Sequence, residues 1–154
     1  MALYVLDTGI LLGYARAAPF AEFVETRYAP TKTPNAACVC VVSLGEIRCF
    51  PIRGKCSDKK RENLETVLRQ TPVADIHHRS VLDRYAEIAT YCQGANPQKP
   101  LPNGVSAHAL RDNDLWIAAT ASVVRATLIT TDKNFLFLDN VFLNVVQVDP
   151  KQRP

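Results

Sequence analysis

The chain has 154 residues, 47% of them hydrophobic and 21% charged, with a formal net charge of +3. That length and composition fit one globular domain with a real core, expected over residues 1–150 with a short tail at 151–154. They exclude a membrane-spanning chain, because no apolar stretch is long enough to cross a bilayer.

The opening MALYVLDTG lacks a basic segment and places Asp7 inside what would be the apolar core of a leader. It does not read as a signal peptide, so the cytoplasm is the expected location. Residues 2–6 are a continuous apolar run, as expected for a central parallel strand. Asp7-Thr8-Gly9 ends it, and ILLGYARA reads as a helix that begins at once. A second helix is expected from Pro19 to Tyr28, with proline in its first turn. PTKTPN is a loop. Residues 38–42 (CVCVV) read as a second buried strand. Ser43 is a good N-cap for the next helix, and Glu46 three residues on completes the S-x-x-E pattern of a capping box.

Ser57 or Asp58 caps another helix that runs to about Gln70, and Pro72 stops it. VADI is a short strand. From His78 to Gln93 the pattern is an amphipathic helix with Val81, Leu82, Tyr85, Ile88, Ala89 and Cys92 on one face. GANPQKPLPNG, residues 94–104, is a loop. Asp112 or Asn113 caps the helix LWIAATASVV. ATLIT is a further buried strand that ends at Asp132, KNFLFLDN is a short connection, and VFLNVVQV is the last strand. Strands alternate with helices throughout, so the expected fold is α/β: a three-layer α/β/α sandwich around a mostly parallel sheet of about five strands.

Four acids stand at the ends of these elements: Asp7, Glu46, Asp114 and Asp132. In an open α/β sheet the strand ends converge on one crevice, so acids carried there can gather into one pocket. Carboxylates gathered without counter-charges repel one another, and a bound divalent cation relieves the repulsion. An all-oxygen set with no Cys or His cluster suits magnesium better than zinc. Such a pocket suggests metal-dependent hydrolysis of a phosphodiester. Each acid also has a plainer explanation. Asp7 could cap the following helix, Glu46 could be only the partner of Ser43, Asp114 could be a first-turn acid with Asp112 as its rival, and Asp132 could form a turn with Asn134. Thr8 adds a hydroxyl that could hold Asp7.

Six basic residues (Arg48, Arg53, Lys55, Lys59, Lys60 and Arg61) against one acid, Asp58, follow Glu46. A basic rim beside an acidic pocket suits a nucleic-acid backbone, although a solvated helix face explains it too. The five cysteines are odd in number, and the three histidines supply no second ligand pair, so buried inert thiols are expected rather than a disulfide framework or a zinc site.

The motifs YVLDTGILL, VVSLGEI, and DLWIAATA followed by LITTDKNF resemble the PIN-domain nucleases, and among them the VapC-type toxins of toxin–antitoxin systems. The resemblance covers nearly the whole chain, and the final pair of motifs is its most specific part. It implies a doubly wound α/β/α fold. It implies Asp7, Glu46, Asp114 and Asp132 as an acidic set around Mg²⁺ or Mn²⁺, with Thr8 and Thr130 as small polar neighbours. It implies endoribonuclease activity on a structured RNA such as a tRNA or rRNA loop, a homodimer, and a cognate antitoxin protein. Two other classes compete. An aspartyl-phosphate enzyme with Asp7 as nucleophile would want an acid where Gly9 stands, or a lysine at the end of the late strand. A catalytically silent PIN-like scaffold would be expected to have lost one of the four acids.

Overall fold

The computed structural model describes residues 1–154. Its central strand shows why the chain needs helices on two sides. Successive residues of a strand face opposite ways. In β1 (Leu3–Leu6) the fully buried pair Val5 and Leu6 therefore enter two different cores. The same division recurs in β4 (Thr127–Thr130), where Leu128 joins the core of Val5 and Ile129 that of Leu6. Burying each such side chain is worth about 1.5–3 kcal/mol.

Between and beyond these strands lie α1 (Thr8–Ala15), α2 (Pro19–Tyr28), β2 (Ala36–Cys40), α3 (Val41–Ile52), α4 (Asp58–Gln70), β3 (Val73–Ala74), α5 (Arg79–Cys92), α6 (Asp112–Val123) and β5 (Asn144–Gln147). A 3-10 helix over Lys133–Leu138 joins β4 to β5. The sheet is parallel throughout, in the order β3-β2-β1-β4-β5. Residues of α5 and α6 fill the core on one face; α1, α2, α3 and α4 fill the other. This is the α/β/α sandwich expected from the alternation of elements.

Several boundaries differ from the sequence reading. The second strand spans 36–40, not 38–42, and Val41 and Val42 already belong to α3. Its N-cap is Cys40, not Ser43, which is wholly buried inside the helix. No capping box joins Ser43 to Glu46: pairing with β1 shifts the strand two residues toward the N-terminus, and the helix start moves with it. Neither Asp112 nor Asn113 caps α6. Arg111 holds that position without a side-chain capping bond, and both residues lie in the first turn. Leu82 is 46% exposed rather than part of the buried face of α5. Ser57 is the cap of α4 and accepts from the Lys60 amide at 3.3 Å. The five thiols are unpaired, with Cys40 and Cys92 buried. No helix is long and apolar enough to cross a membrane.

The sheet order places the site. From β1 the chain steps outward through β2 to β3, then returns to β4 on the opposite side of β1. The crevice where the order reverses, at the C-terminal ends of β1 and β4, is where ligands settle in open α/β sheets.

Candidate active site

Asp7 stands one residue beyond β1 and caps α1. Its Oδ1 accepts from the Thr8 amide at 2.7 Å and its Oδ2 from the Thr130 hydroxyl at 2.6 Å. Thr130 is completely buried at the end of β4, and its oxygen in turn accepts from the Asp132 amide at 3.0 Å. One threonine thus ties together the acids that follow the two central strands. Glu46 reaches the same crevice from the second turn of α3, where the Thr8 hydroxyl donates to its Oε1 at 2.9 Å. The Thr8 hydroxyl therefore serves Glu46, while the backbone of Thr8 serves Asp7. Asp114 comes from the first turn of α6, where Arg111 Nε donates to its Oδ2 at 3.2 Å. Asp132 caps the 3-10 helix, its Oδ1 accepting from the Asn134 amide at 2.9 Å, so the turn role foreseen for it is also real.

Asp7, Glu46, Asp114 and Asp132 line one pocket of about 260 Å³ with Thr8, Gly9, Thr131 and Arg111. None of the lining residues is hydrophobic, and four carboxylates face one guanidinium. Asp7 and Asp114 are only 7% and 5% exposed. Burial pushes the Asp7 carboxyl up to about 6; the bonds from Thr130 and Thr8 oppose the rise, and the charges of Asp114 and Glu46 add to it. Burial also raises Asp114, against the pull of Arg111 and with the push of Asp132 and Glu46. Arg111 is held charged chiefly by its bond to Asp114.

Gly9 makes room for Thr131 in this geometry. A Cβ there would stand 2.5 Å from Thr131 Oγ1, so the turn after β4 could not close on the start of α1 without displacing that hydroxyl.

The structure separates the remaining residues singled out in the sequence. Asp112 is exposed, takes a 3.5 Å contact from the Tyr85 hydroxyl and does not line the pocket. Arg53, Lys55 and Lys60 line an adjoining cavity; Arg48 and Lys59 do not, and Lys59 pairs with Glu62 at 3.7 Å. Sequence reasoning missed Arg111 and Arg16, because it looked for cations in the dense run after Glu46. Arg111 lay three residues before Asp114, a spacing that pairs side chains at a helix start. Arg16 ends α1 far from that run in sequence.

The donor set is oxygen only, carries an excess of negative charge and sits at a sheet switch point. It fits a hard divalent cation by donor type and by charge. No three of the carboxylates stand ready-made at ligand spacing, and each is hydrogen-bonded to a partner of its own. Arg111 engages only Oδ2 of Asp114, which leaves Oδ1 free.

A family model described as PIN domain matches residues 4–140. Among solved structures, the chain is similar to VapBC2 from Rickettsia felis, described as bound to a DNA fragment from its promoter, with 21% identity, 96% of this chain and 99% of that chain covered, and a TM-score of 0.71. It is similar to VapBC-5 of Mycobacterium tuberculosis, a member of the VapBC family of toxin–antitoxin systems, at 22% identity, 96% and 100% coverage and a TM-score of 0.66. FitAcB from Neisseria gonorrhoeae matches at 18% identity, 96% and 97% coverage and a TM-score of 0.66. None of the curated proteins matches the chain.

Proposed function

The chain belongs to the PIN domain family, and from that membership we propose that the four-acid pocket is the centre of a Mg²⁺- or Mn²⁺-dependent endoribonuclease, the toxin of a toxin–antitoxin pair. The observation that carries the reading is the convergence of Asp7, Glu46, Asp114 and Asp132, from four separate elements, on one pocket with no apolar lining.

In this reading the four carboxylates hold the cation. When bound, the cation polarises the phosphodiester and makes a water molecule a better nucleophile at neutral pH. The chain's own groups prepare that site. Thr130 and the Thr8 amide fix both oxygens of Asp7, so Asp7 does not have to be ordered when the cation enters. The Thr8 hydroxyl fixes one oxygen of Glu46. Asp7 must be ionised to bind, so the site is primed as pH rises through about 6. Arg111, 78% exposed at the pocket mouth, is placed to meet a substrate phosphate once it releases Asp114. An aspartyl-phosphate mechanism is disfavoured: Gly9 stands where a second acid would be wanted, and the only cation lining the pocket is Arg111, with no lysine.

The toxin assignment leans on the solved relatives, which include toxin–antitoxin assemblies. A cognate antitoxin would be expected to cover the pocket, and a homodimer is the expected assembly. The purified protein should cleave RNA with Mg²⁺ or Mn²⁺, leave 5′-phosphate and 3′-hydroxyl ends, and stop in EDTA. Cleavage that continues in EDTA, or 2′,3′-cyclic phosphate ends, would rule the mechanism out. Copurification with the product of an adjacent small gene, and relief of growth arrest by it, tests the toxin assignment.

A further inference from the structure

The four carboxylates of the acidic pocket face a single positive charge, and that charge stands where the helix itself does not favour it. Arg111 is the N-cap of α6. N-cap positions favour Ser, Thr, Asp or Asn, whose oxygens accept from the free amides of the first turn, and the start of a helix is the positive end of its dipole. A guanidinium offers no acceptor, and its charge has the wrong sign for the dipole. Arg111 accordingly makes no side-chain capping bond. Residues that break a local rule in this way cluster at functional sites.

The compensation comes from the pocket. Arg111 Nε donates to Asp114 Oδ2 at 3.2 Å, and the charges of Asp132 and Glu46 add their attraction. Arg16, Arg53, Lys55 and Lys60 line the adjoining cavity, and none of them lines this pocket. Arg111 is thus the one counter-charge the acids have.

The hold is loose. It uses Nε alone, and the Arg111 side chain is 78% exposed while Asp114 is buried. An ion pair with so exposed a partner adds little stability. The terminal nitrogens keep their N–H donors for a second anion, in the fork geometry that suits phosphate. Oδ1 of Asp114 is also free, so Arg111 and a cation do not contend for one atom. They oppose each other by charge.

We propose that Arg111 is a resident counter-ion that couples the two ligands of this site: resting on Asp114 it weakens the grip of the carboxylates on a divalent cation, and a phosphodiester that draws the guanidinium away strengthens that grip. The coupling is reciprocal by linkage, so a cation held by the acids releases Arg111 toward the phosphate. The site then fills when cation and substrate phosphate are present together. This coupling rests on the reading of the four acids as a cation site and adds how that site is regulated.

Calorimetric titration with Mn²⁺, with and without dimethyl phosphate at matched ionic strength, reads both halves. Dimethyl phosphate is a minimal diester with one negative charge. Arg111→Gln keeps a donor for Asp114 but removes the charge. Without the diester it should bind Mn²⁺ about 10-fold more tightly than the wild type, and Arg111→Lys should bind as the wild type does. A residue that only contacts substrate would not change Mn²⁺ affinity in the absence of any phosphate. With the diester, the wild-type affinity should rise at least about 5-fold more than that of Arg111→Gln. Wild-type Mn²⁺ affinity in Arg111→Gln, or a diester effect as large in that variant as in the wild type, overturns the coupling and leaves the cation site standing. Mn²⁺ binding as tight in Asp7→Asn as in the wild type, or no binding by the wild type, refutes the cation site and the coupling with it.

Discussion

Replacing Asp7 by Asn should make the metal-free protein more stable, although Asp7 stands at the centre of the site. The folded state raises the Asp7 carboxyl from 3.8 to about 6. An acid raised on folding binds its proton more tightly in the native state, so its contribution favours folding at low pH and is lost as pH rises through about 6. A carboxyl raised from 3.8 to about 6 corresponds to about 3 kcal/mol against the folded state at pH 7 and above, and to almost nothing below about pH 4. Asparagine removes that charge. Its amide keeps an oxygen for the Thr8 N–H but presents NH₂ toward Thr130, whose hydroxyl loses its acceptor, a loss of about 1 kcal/mol. The net gain is about 1–2 kcal/mol, or roughly 2–8 °C in Tm for a domain of this size. Urea denaturation of both proteins in EDTA at pH 8 and pH 4 measures it. The gain should appear at pH 8 and vanish or reverse at pH 4. A variant that is less stable at pH 8, or a difference that does not change with pH, would refute the claim that an unneutralised buried carboxylate strains this site.

Mn²⁺ or Mg²⁺ should reverse that ranking: at about 100 times its dissociation constant a ligand adds about 2.7 kcal/mol to the wild type, and calorimetry should find much less in Asp7→Asn. Thr130→Val keeps the shape but leaves Asp7 Oδ2 and the Asp132 amide without their partner, so stability should fall by about 1–3 kcal/mol, and by more at pH 8 than at pH 4. Gly9→Ala should impair RNA cleavage because its Cβ meets Thr131 Oγ1, and the double variant Gly9→Ala/Thr131→Ala, which removes that oxygen, should recover most of the loss. Cleavage at limiting metal should rise with pH through about 6 as Asp7 ionises, and a flat profile from pH 5 to 8 would contradict its role as a ligand.

The sequence by itself determined the layers and the strand and helix ends from which the four candidate acids come. The adjacent apolar pairs Val5-Leu6 and Leu128-Ile129 are buried on both faces of their strands, and such runs read directly as a central parallel sheet. Asp7 interrupts the first run at its end, so its place at a strand terminus needed no coordinates. Element ends were less legible. Val41 and Val42 look like strand residues by propensity, yet they begin α3, because register with β1 ends the strand at Cys40 and tertiary pairing outweighs a local preference. That shift altered the meaning of Glu46: as the partner of Ser43 it had a local explanation, and three residues deeper in the helix it has none except the hydroxyl of Thr8. Only the tertiary structure could set which partner each carboxylate takes, since Thr130 and Asp7 are 123 residues apart in the chain. It alone brought the Thr8 hydroxyl onto Glu46, 38 residues away. Periodicity records which side of an element is buried, whereas a pocket is made by elements that meet across the sheet, and their meeting is fixed by packing rather than by any local run of residues.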